Sequence, residues 1–287
     1  MKKFAIALIT VLLFALSAYA AAPIWEVKKG DSVIYLGGTC HLLRDSDFPL
    51  PAAFDVAYRQ SAAVVFETDI GELQSPEFQQ KMMAALFYRD GRSLPDDLSP
   101  EAYLALQRYC EKAGFPVAML HPMKPAMAVL TLVTLELQKL GITEAGADRF
   151  YYDKALAEGK KIEGLETADE QLDFLAVMGK GMEDSLIEQS LADLSRTGTM
   201  FNEIIQVWRS GNEKELGRLL VESTRKDFPE IYQTLLVARN ADWLPKIEKL
   251  LATPERELVL VGAAHLVGGD GLLESLKKQE YEVKQLD

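Results

Sequence analysis

Cysteine, histidine and positive charge are all scarce in this chain. Its 287 residues include two cysteines and three histidines. Two cysteines cannot build a disulfide scaffold or a four-thiolate zinc site. Lys and Arg number 31 against 43 Asp and Glu, a formal net charge of -12. Because phosphate backbones attract basic surfaces, this balance argues against a nucleic-acid partner.

Long hydrophobic runs are also missing. The apolar run over residues 4–16 follows Lys2 and Lys3 and is shorter than the ~20 residues that span a bilayer. It ends in an Ala-x-Ala pattern at Ala20, which is typical of a secretory signal peptide. The sequence therefore predicts cleavage after residues 1–20 and a periplasmic or secreted product without stable membrane insertion. A membrane anchor is the alternative.

What is present is an ordinary globular composition, 48% hydrophobic and 26% charged, which argues against disorder. Residues 24–27 and 32–36 flank Gly30 and Asp31, a pattern that predicts a β-hairpin. Apolar, β-branched segments predict strands over residues 62–66, 160–165 and 257–261. A helix over 272–278 and a strand over 281–286 then predict a βαβ unit with a parallel strand pair.

Helical patterns dominate between the two β-rich ends. We therefore predict an α/β fold with a small, mainly parallel sheet, built from the N- and C-terminal segments and flanked by helices. The predicted organisation is one domain over residues 21–287, with a large helical insertion at about 75–245.

Titratable residues follow four of the predicted strands. His41 and His265 each stand three residues after a glycine, Glu67 directly follows the 62–66 strand, and Glu166 follows the 160–165 strand. Ligands of open α/β sheets bind beyond the carboxyl ends of the strands. If these strands are parallel neighbours, two imidazoles and at least two carboxylates meet at one rim.

Two neutral imidazoles and one or two carboxylates are a donor set for a divalent ion such as zinc, manganese or cobalt. Such an ion activates water and polarises a carbonyl, and a remaining carboxylate can act as general base. Direct acid–base hydrolysis without a metal is the second interpretation. The third is that His41 and His265 only close the ends of their strands.

Three further residues give weaker indications of a role in the site. His121 precedes a proline between predicted helices and is interpreted as structural. Cys40 adjoins His41, so a metal-ligand role, a nucleophile role and a disulfide with Cys110 all stay open. Arg239 lies in a predicted helix, where a single arginine is usually a solvated surface residue.

Taken together, these motifs resemble the TraB/GumN family, which includes the Tiki-type metalloproteases and the pheromone-shutdown proteins of enterococcal plasmids. The resemblance spans nearly the whole mature chain. It rests on Gly38-Thr39-Cys40-His41, on Glu67 after Val64-Val65-Phe66, and on Gly262-Ala263-Ala264-His265, with softer matches at Gly146-Ala147-Asp148, at residues 161–167 and at Arg239-Asn240. Ala238 departs from the pattern, since many relatives carry Glu there.

The resemblance implies an erythromycin-esterase/ChaN-like core and a metal-dependent protease site at His41, His265 and Glu67. With it, we expect an exported metal-dependent hydrolase, in the first place a peptidase, that acts on a peptide or small molecule. Glu67 or Glu166 would complete the metal site, the other would be the base, and Arg239 would stabilise an oxyanion. A non-catalytic periplasmic binder of a peptide signal or haem is the alternative, since a related fold binds haem without catalysis. A metal-free esterase with His41 as base is a third option.

Overall fold

The computed structural model describes residues 21–143 and 146–287, so the predicted signal peptide lies outside the described residues. Helices make up most of the described chain. The α-helices, numbered α1 to α15, are Ala52–Gln60, Ile70–Leu73, Pro76–Leu86, Pro100–Ala113, Pro125–Lys139, Ala147–Glu158, Ala168–Val177, Glu183–Leu194, Thr197–Arg209, Glu213–Leu216, Ser223–Asp227, Pro229–Tyr232, Arg239–Leu250, Ala263–Leu266 and Leu272–Lys278.

Eight strands accompany these helices in the described chain. Numbered β1 to β8, they are Ile24–Lys29, Ser32–Thr39, Leu43–Arg44, Ala63–Phe66, Ile142–Thr143, Lys161–Gly164, Glu257–Gly262 and Glu282–Gln285. Six of them form one sheet in the order β6-β4-β7-β2-β1-β8, and β3 pairs with β5 separately. The pairs β6–β4, β4–β7 and β7–β2 are parallel. The predicted α/β fold with a mainly parallel sheet is confirmed.

The central strands follow from their sequences. β7 lies between two parallel neighbours and all six of its residues are buried, which explains its nearly unbroken apolar run. β1 and β2 form the predicted hairpin, in which Lys29 pairs with Ser32 across a two-residue turn. Gly30 in that turn has a φ of 63°, a conformation that glycine adopts without a steric penalty.

One expectation about connectivity needs correction. β8 follows β7 and α15 as predicted, but it does not pair with β7. It lies at the sheet edge and pairs antiparallel with β1, because β2 and β4 fill the positions next to β7. The strand predicted over residues 160–165 is present as β6, within the span predicted as a helical insertion, and pairs with β4 in the main sheet. The chain thus returns to the sheet between its helical stretches.

The largest hydrophobic core surrounds the six-stranded sheet and includes Trp25, Trp208 and Trp243. A second cluster joins helices α4, α5 and α8 around Leu106, Leu132 and Ile187. Cys40 and Cys110 are both free thiols, so the disulfide is not formed. Among the described helices, none has the length and apolar character needed to cross a bilayer.

Candidate functional site

The residues that follow the four parallel strands lie at one edge of the sheet. His41 follows β2, Glu67 follows β4, Glu166 follows β6, and His265 lies in α14 directly after β7. Since the strand order is β6-β4-β7-β2, the rim runs Glu166, Glu67, His265, His41. The structure therefore brings together all four residues that the strand-end pattern singled out.

Both imidazoles face one carboxylate oxygen. His41 Nε2 lies 3.7 Å and His265 Nε2 lies 3.9 Å from Glu67 Oε1. The same oxygen accepts a hydrogen bond of 2.7 Å from the Gly262 backbone N–H. The His265 side chain is 6% exposed, whereas that of His41 is 58% exposed. The cluster thus has a buried side and a side open to solvent.

The far nitrogen of each imidazole has its own acceptor. His41 Nδ1 lies 2.8 Å from Asp148 Oδ2, and Asp148 Oδ1 accepts a 2.7 Å hydrogen bond from the Thr39 hydroxyl. His265 Nδ1 lies 2.8 Å from Asn240 Oδ1. When either ring is neutral, its acceptor favours the tautomer with the proton on Nδ1, which leaves Nε2 without a proton on the side that faces Glu67.

Arg239 contacts the carboxylates of both Glu67 and Glu166 on the buried side of the cluster. It makes a two-point contact with Glu166, at 2.6 and 3.1 Å, and donates to Glu67 Oε2 at 2.7 Å. Its Nη1 lies 3.1 Å from His265 Nε2 and also contacts the Leu235 carbonyl. Since every N–H of the guanidinium is directed at one of these acceptors, this arrangement leaves none for an oxyanion.

Helix α13 supplies Arg239 together with two further residues of the site. Trp243 lies one helical turn after Arg239, and Asn240 directly follows Arg239 in the sequence. Trp243 donates from its indole N–H to Glu166 Oε2 at 3.1 Å, and its ring centre lies 4.4 Å from that of His265. α13 continues from a π-helical turn, Gln233–Ala238, a local geometry that is frequent at functional sites.

Burial and neighbouring charges set the protonation states. Burial lowers the pKa of His265 to about 3, and the Arg239 charge acts in the same direction, so this imidazole is neutral. Asp148 raises the pKa of His41 to about 10. Burial on its own raises the pKa of Glu67, but His265, His41, Arg239 and the Gly262 N–H outweigh it and lower this pKa to about 2. Glu67 is therefore an anion at neutral pH.

The two Nε2 atoms and Glu67 Oε1 lie close to the spacing that the ligands of a divalent ion require. A Cβ placed on Gly262 would lie 3.2 Å from His41 Nε2 and 3.3 Å from Glu67 Oε1, so glycine leaves a small cradle between the donors. Ligands at about 2.1 Å in a tetrahedral site are roughly 3.4 Å apart, a few tenths of an ångström closer than the two Nε2–Oε1 distances here. Within the described ranges, no group of three or more His, Cys, Asp or Glu already has metal-site geometry. The residue types and the cradle fit a divalent ion, provided that the contact between Arg239 Nη1 and His265 Nε2 is lost.

A pocket of about 640 Å³ opens on the His41 side of the cluster. Its wall combines His41, Glu67 and Asp148 with apolar side chains from the end of β4 and from α2. Glu166 is absent from this wall and is 6% exposed, with both oxygens engaged by Arg239 and Trp243. This geometry favours Glu166 as the anchor of Arg239 over a role as metal ligand or base.

Sequence reasoning missed Asp148, Asn240 and Trp243 as members of the site. Asp148 and Asn240 occurred in segments that matched the family pattern, but neither follows a sheet strand, so the strand-end rule could not find them. His121 behaves as predicted, since its Nε2 lies 2.8 Å from the Tyr103 hydroxyl, away from the site residues.

Comparisons with known proteins agree with the motifs. No curated protein and no solved structure matched the chain. A model of the TraB/PrgY/gumN family matches residues 23–285, a span that contains every residue of the site described above. The chain is therefore a member of the TraB/PrgY/gumN family.

Proposed function

We propose that the protein is a metal-dependent hydrolase, in the first place a peptidase, with its reaction centre at His41, Glu67 and His265. The observation that carries the proposal is that two imidazole Nε2 atoms face one oxygen of a buried, ionised carboxylate. The centre adjoins a pocket large enough for a peptide segment. Export of the mature chain, predicted from its first twenty residues, remains part of the proposal.

The charge balance supports a divalent ion. Asp148, Glu166 and Glu67 are buried with Arg239 as the one buried guanidinium among them. With His265 neutral and His41 protonated, as their pKa values of about 3 and about 10 imply at neutral pH, three carboxylates still face only two positive groups. The cluster therefore carries excess negative charge in a region of low dielectric, which is costly unless positive charge compensates it. A divalent ion held by His41, His265 and Glu67 would supply that charge.

When bound, the ion would lower the pKa of water and polarise the carbonyl of the substrate. The chain's own residues orient the donors. Asp148 and Asn240 hold the two imidazoles with Nε2 free, and Gly262 fixes Glu67 Oε1. Arg239 holds Glu67 Oε2 and is itself held by Glu166. A carboxyl with a pKa of about 2 is a poor proton acceptor, so Glu67 is assigned as a ligand and not as the base.

The proposal is tested by measuring metal content and peptide cleavage of the purified chain. We expect the wild type loaded with zinc, manganese or cobalt to bind about one ion and to cleave a mixed peptide library. His41→Ala and His265→Ala should lose both properties, and chelator treatment should abolish cleavage reversibly. The proposal fails if His41→Ala remains active, or if the wild type loaded with each ion shows no cleavage.

His121→Ala is the matched control. It removes the third histidine of the chain, which pairs with Tyr103 beside the second hydrophobic cluster. We expect this variant to keep the metal content and turnover of the wild type. Loss of both in this control would show that removing any histidine disturbs the fold, and it would remove the support that the other two variants give.

A specific observation favours one second candidate, a metal-independent hydrolase. His41 contacts Asp148 through Nδ1, and its side chain is 58% exposed and lines the pocket, the arrangement of a general base that a carboxylate orients. In that case turnover of a simple ester persists in excess chelator. Asp148→Asn would then lower it strongly, because the amide no longer stabilises the imidazolium.

A further inference from the structure

A buried hydroxyl without a partner lies in the wall of the pocket. Thr68 directly follows Glu67 and is 3% exposed. Its Oγ1 makes no hydrogen bond within the described part of the chain, yet the residue lines the same pocket as His41 and Glu67. Buried hydroxyls are normally paired, because desolvation without a partner costs free energy. An unpaired one beside a reaction centre therefore points to a partner that arrives with the ligand.

The carboxylates of the pocket are already paired, in contrast to Thr68. Asp148 is engaged by Thr39 and His41, and Glu67 by Arg239 and Gly262. Asp153, the third carboxylate of the wall, accepts from Arg149 at 2.8 Å. No carboxylate of the wall is thus left over for a cationic group. The three carboxylates outnumber the Arg149 guanidinium and the His41 imidazole of the same wall, which disfavours an anionic group.

The wall also contains three apolar side chains, beside the polar residues Gln74, Arg149 and Gln171. Phe66 precedes Glu67 at the end of β4, and α2 contributes Ile70 and Leu73. Phe66 is buried, whereas Ile70 and Leu73 are partly exposed at the pocket surface. This surface suits an uncharged apolar side chain, which gains free energy as its area leaves water. Thr68 belongs to the same pocket wall as these three residues.

We infer that Thr68 Oγ1 binds a backbone amide of a peptide, and that Phe66, Ile70 and Leu73 hold the uncharged apolar side chain of the same peptide residue. The peptide class rests on the proposed function. The hydroxyl can donate to the amide carbonyl or accept from its N–H, so either end of the amide satisfies it. Thr68 is therefore a specificity residue and not a member of the reaction centre.

The test compares Thr68→Val with Thr68→Ser. Valine keeps the shape and removes the hydroxyl, whereas serine keeps the hydroxyl. The probe is acetyl-Leu-Leu-amide, and its Kd is measured by titration calorimetry on metal-loaded protein. We expect Thr68→Val to raise the Kd about tenfold and Thr68→Ser to stay within about threefold of the wild type. The Tm of Thr68→Val should equal or exceed that of the wild type, because an unpaired buried hydroxyl has been removed.

A purely structural threonine would behave differently, since its removal lowers the Tm and leaves the Kd unchanged. Thr134→Val is the matched control, because Thr134 on α5 is exposed, donates to the Leu130 carbonyl and is not part of the pocket wall. This control should bind the probe as the wild type does. An unchanged Kd in Thr68→Val, or no binding of the probe to the wild type, overturns the inference. Equal affinity for acetyl-Asp-Asp-amide also overturns it.

Failure of the pocket inference and failure of the proposed function give different results. Binding of acetyl-Leu-Leu-amide that depends on Thr68, without cleavage of any peptide, supports the pocket and rejects the hydrolase. Peptide cleavage with the same KM in Thr68→Val and wild type supports the hydrolase and rejects the pocket assignment.

Discussion

At the scale of single residues, the titratable residues at the ends of strands could be predicted from the sequence, whereas the burial of a helical residue could not. His41, Glu67, Glu166 and His265 stood out because each follows an apolar strand. Arg239 was interpreted as a surface residue on residue statistics, yet it is 7% exposed. Its burial depends on Glu67 and Glu166, which reach it from the ends of β4 and β6, and no local pattern encodes that meeting.

Glu257 is a buried carboxylate that does not belong to the site. It begins β7, at the end of the strand opposite His265, and is 4% exposed with no hydrogen-bond partner for Oε2 among the described residues. Burial raises the pKa of this carboxyl, Glu255 and Glu163 raise it further, and Lys161 opposes them. The ionised form therefore costs the folded state free energy at neutral pH.

Glu257→Gln should consequently stabilise the protein at pH 7, by about 1 kcal/mol in the free energy of unfolding. Because the folded-state pKa lies above the unfolded one, this gain shrinks as the pH falls and vanishes below about pH 4, the range of an unfolded carboxyl. Urea denaturation at pH 7 and pH 4 measures both values. Glu255→Gln, at an exposed position, is the control with little change. Destabilisation by Glu257→Gln at pH 7 would contradict the prediction.

At the scale of elements, the turn from β7 into α14 shapes the centre of the site. Gly262 closes β7, and its N–H holds Glu67. Gly262→Ala should place a methyl group between His41 and Glu67 and lower turnover on the order of 100-fold, since small displacements of reacting groups are this costly. We expect the Tm to change by no more than about 3 °C.

Gly269→Ala is the control for that substitution. Gly269 lies in the loop after α14, and a Cβ there would meet no atom within 4 Å. Turnover and metal content should match those of the wild type. Full activity of Gly262→Ala with normal metal binding would refute the role of the cradle.

Hairpins and buried strands were predictable at this scale, because both carry local signals. The pairing of β8 was not. A strand that follows another strand and a helix predicts a parallel pair, but the positions next to β7 were taken by β2 and β4. β8 instead pairs with β1 at the edge, an outcome that depends on which strands fill the centre of the sheet and not on the residues of β8.

At the scale of the whole molecule, stability should be unevenly distributed. All six residues of β7 are buried between two hydrogen-bonded neighbours, whereas β8 is an edge strand in which half-buried and exposed residues alternate. Amide hydrogen exchange followed by mass spectrometry should therefore find the slowest exchange in β7 and its neighbours β2 and β4, and much faster exchange in β8. Equal protection of β7 and β8 would contradict this expectation.

The position of β7 in the sheet has a consequence for biosynthesis. A ribosome produces β2 and β4 early, but the strand that separates them emerges about two hundred residues later. Until then His41 and Glu67 lack their second imidazole and the N–H of Gly262, so a nascent or prematurely terminated chain cannot assemble the reaction centre. The order of synthesis thus prevents the proposed hydrolytic activity until β7 has joined the sheet.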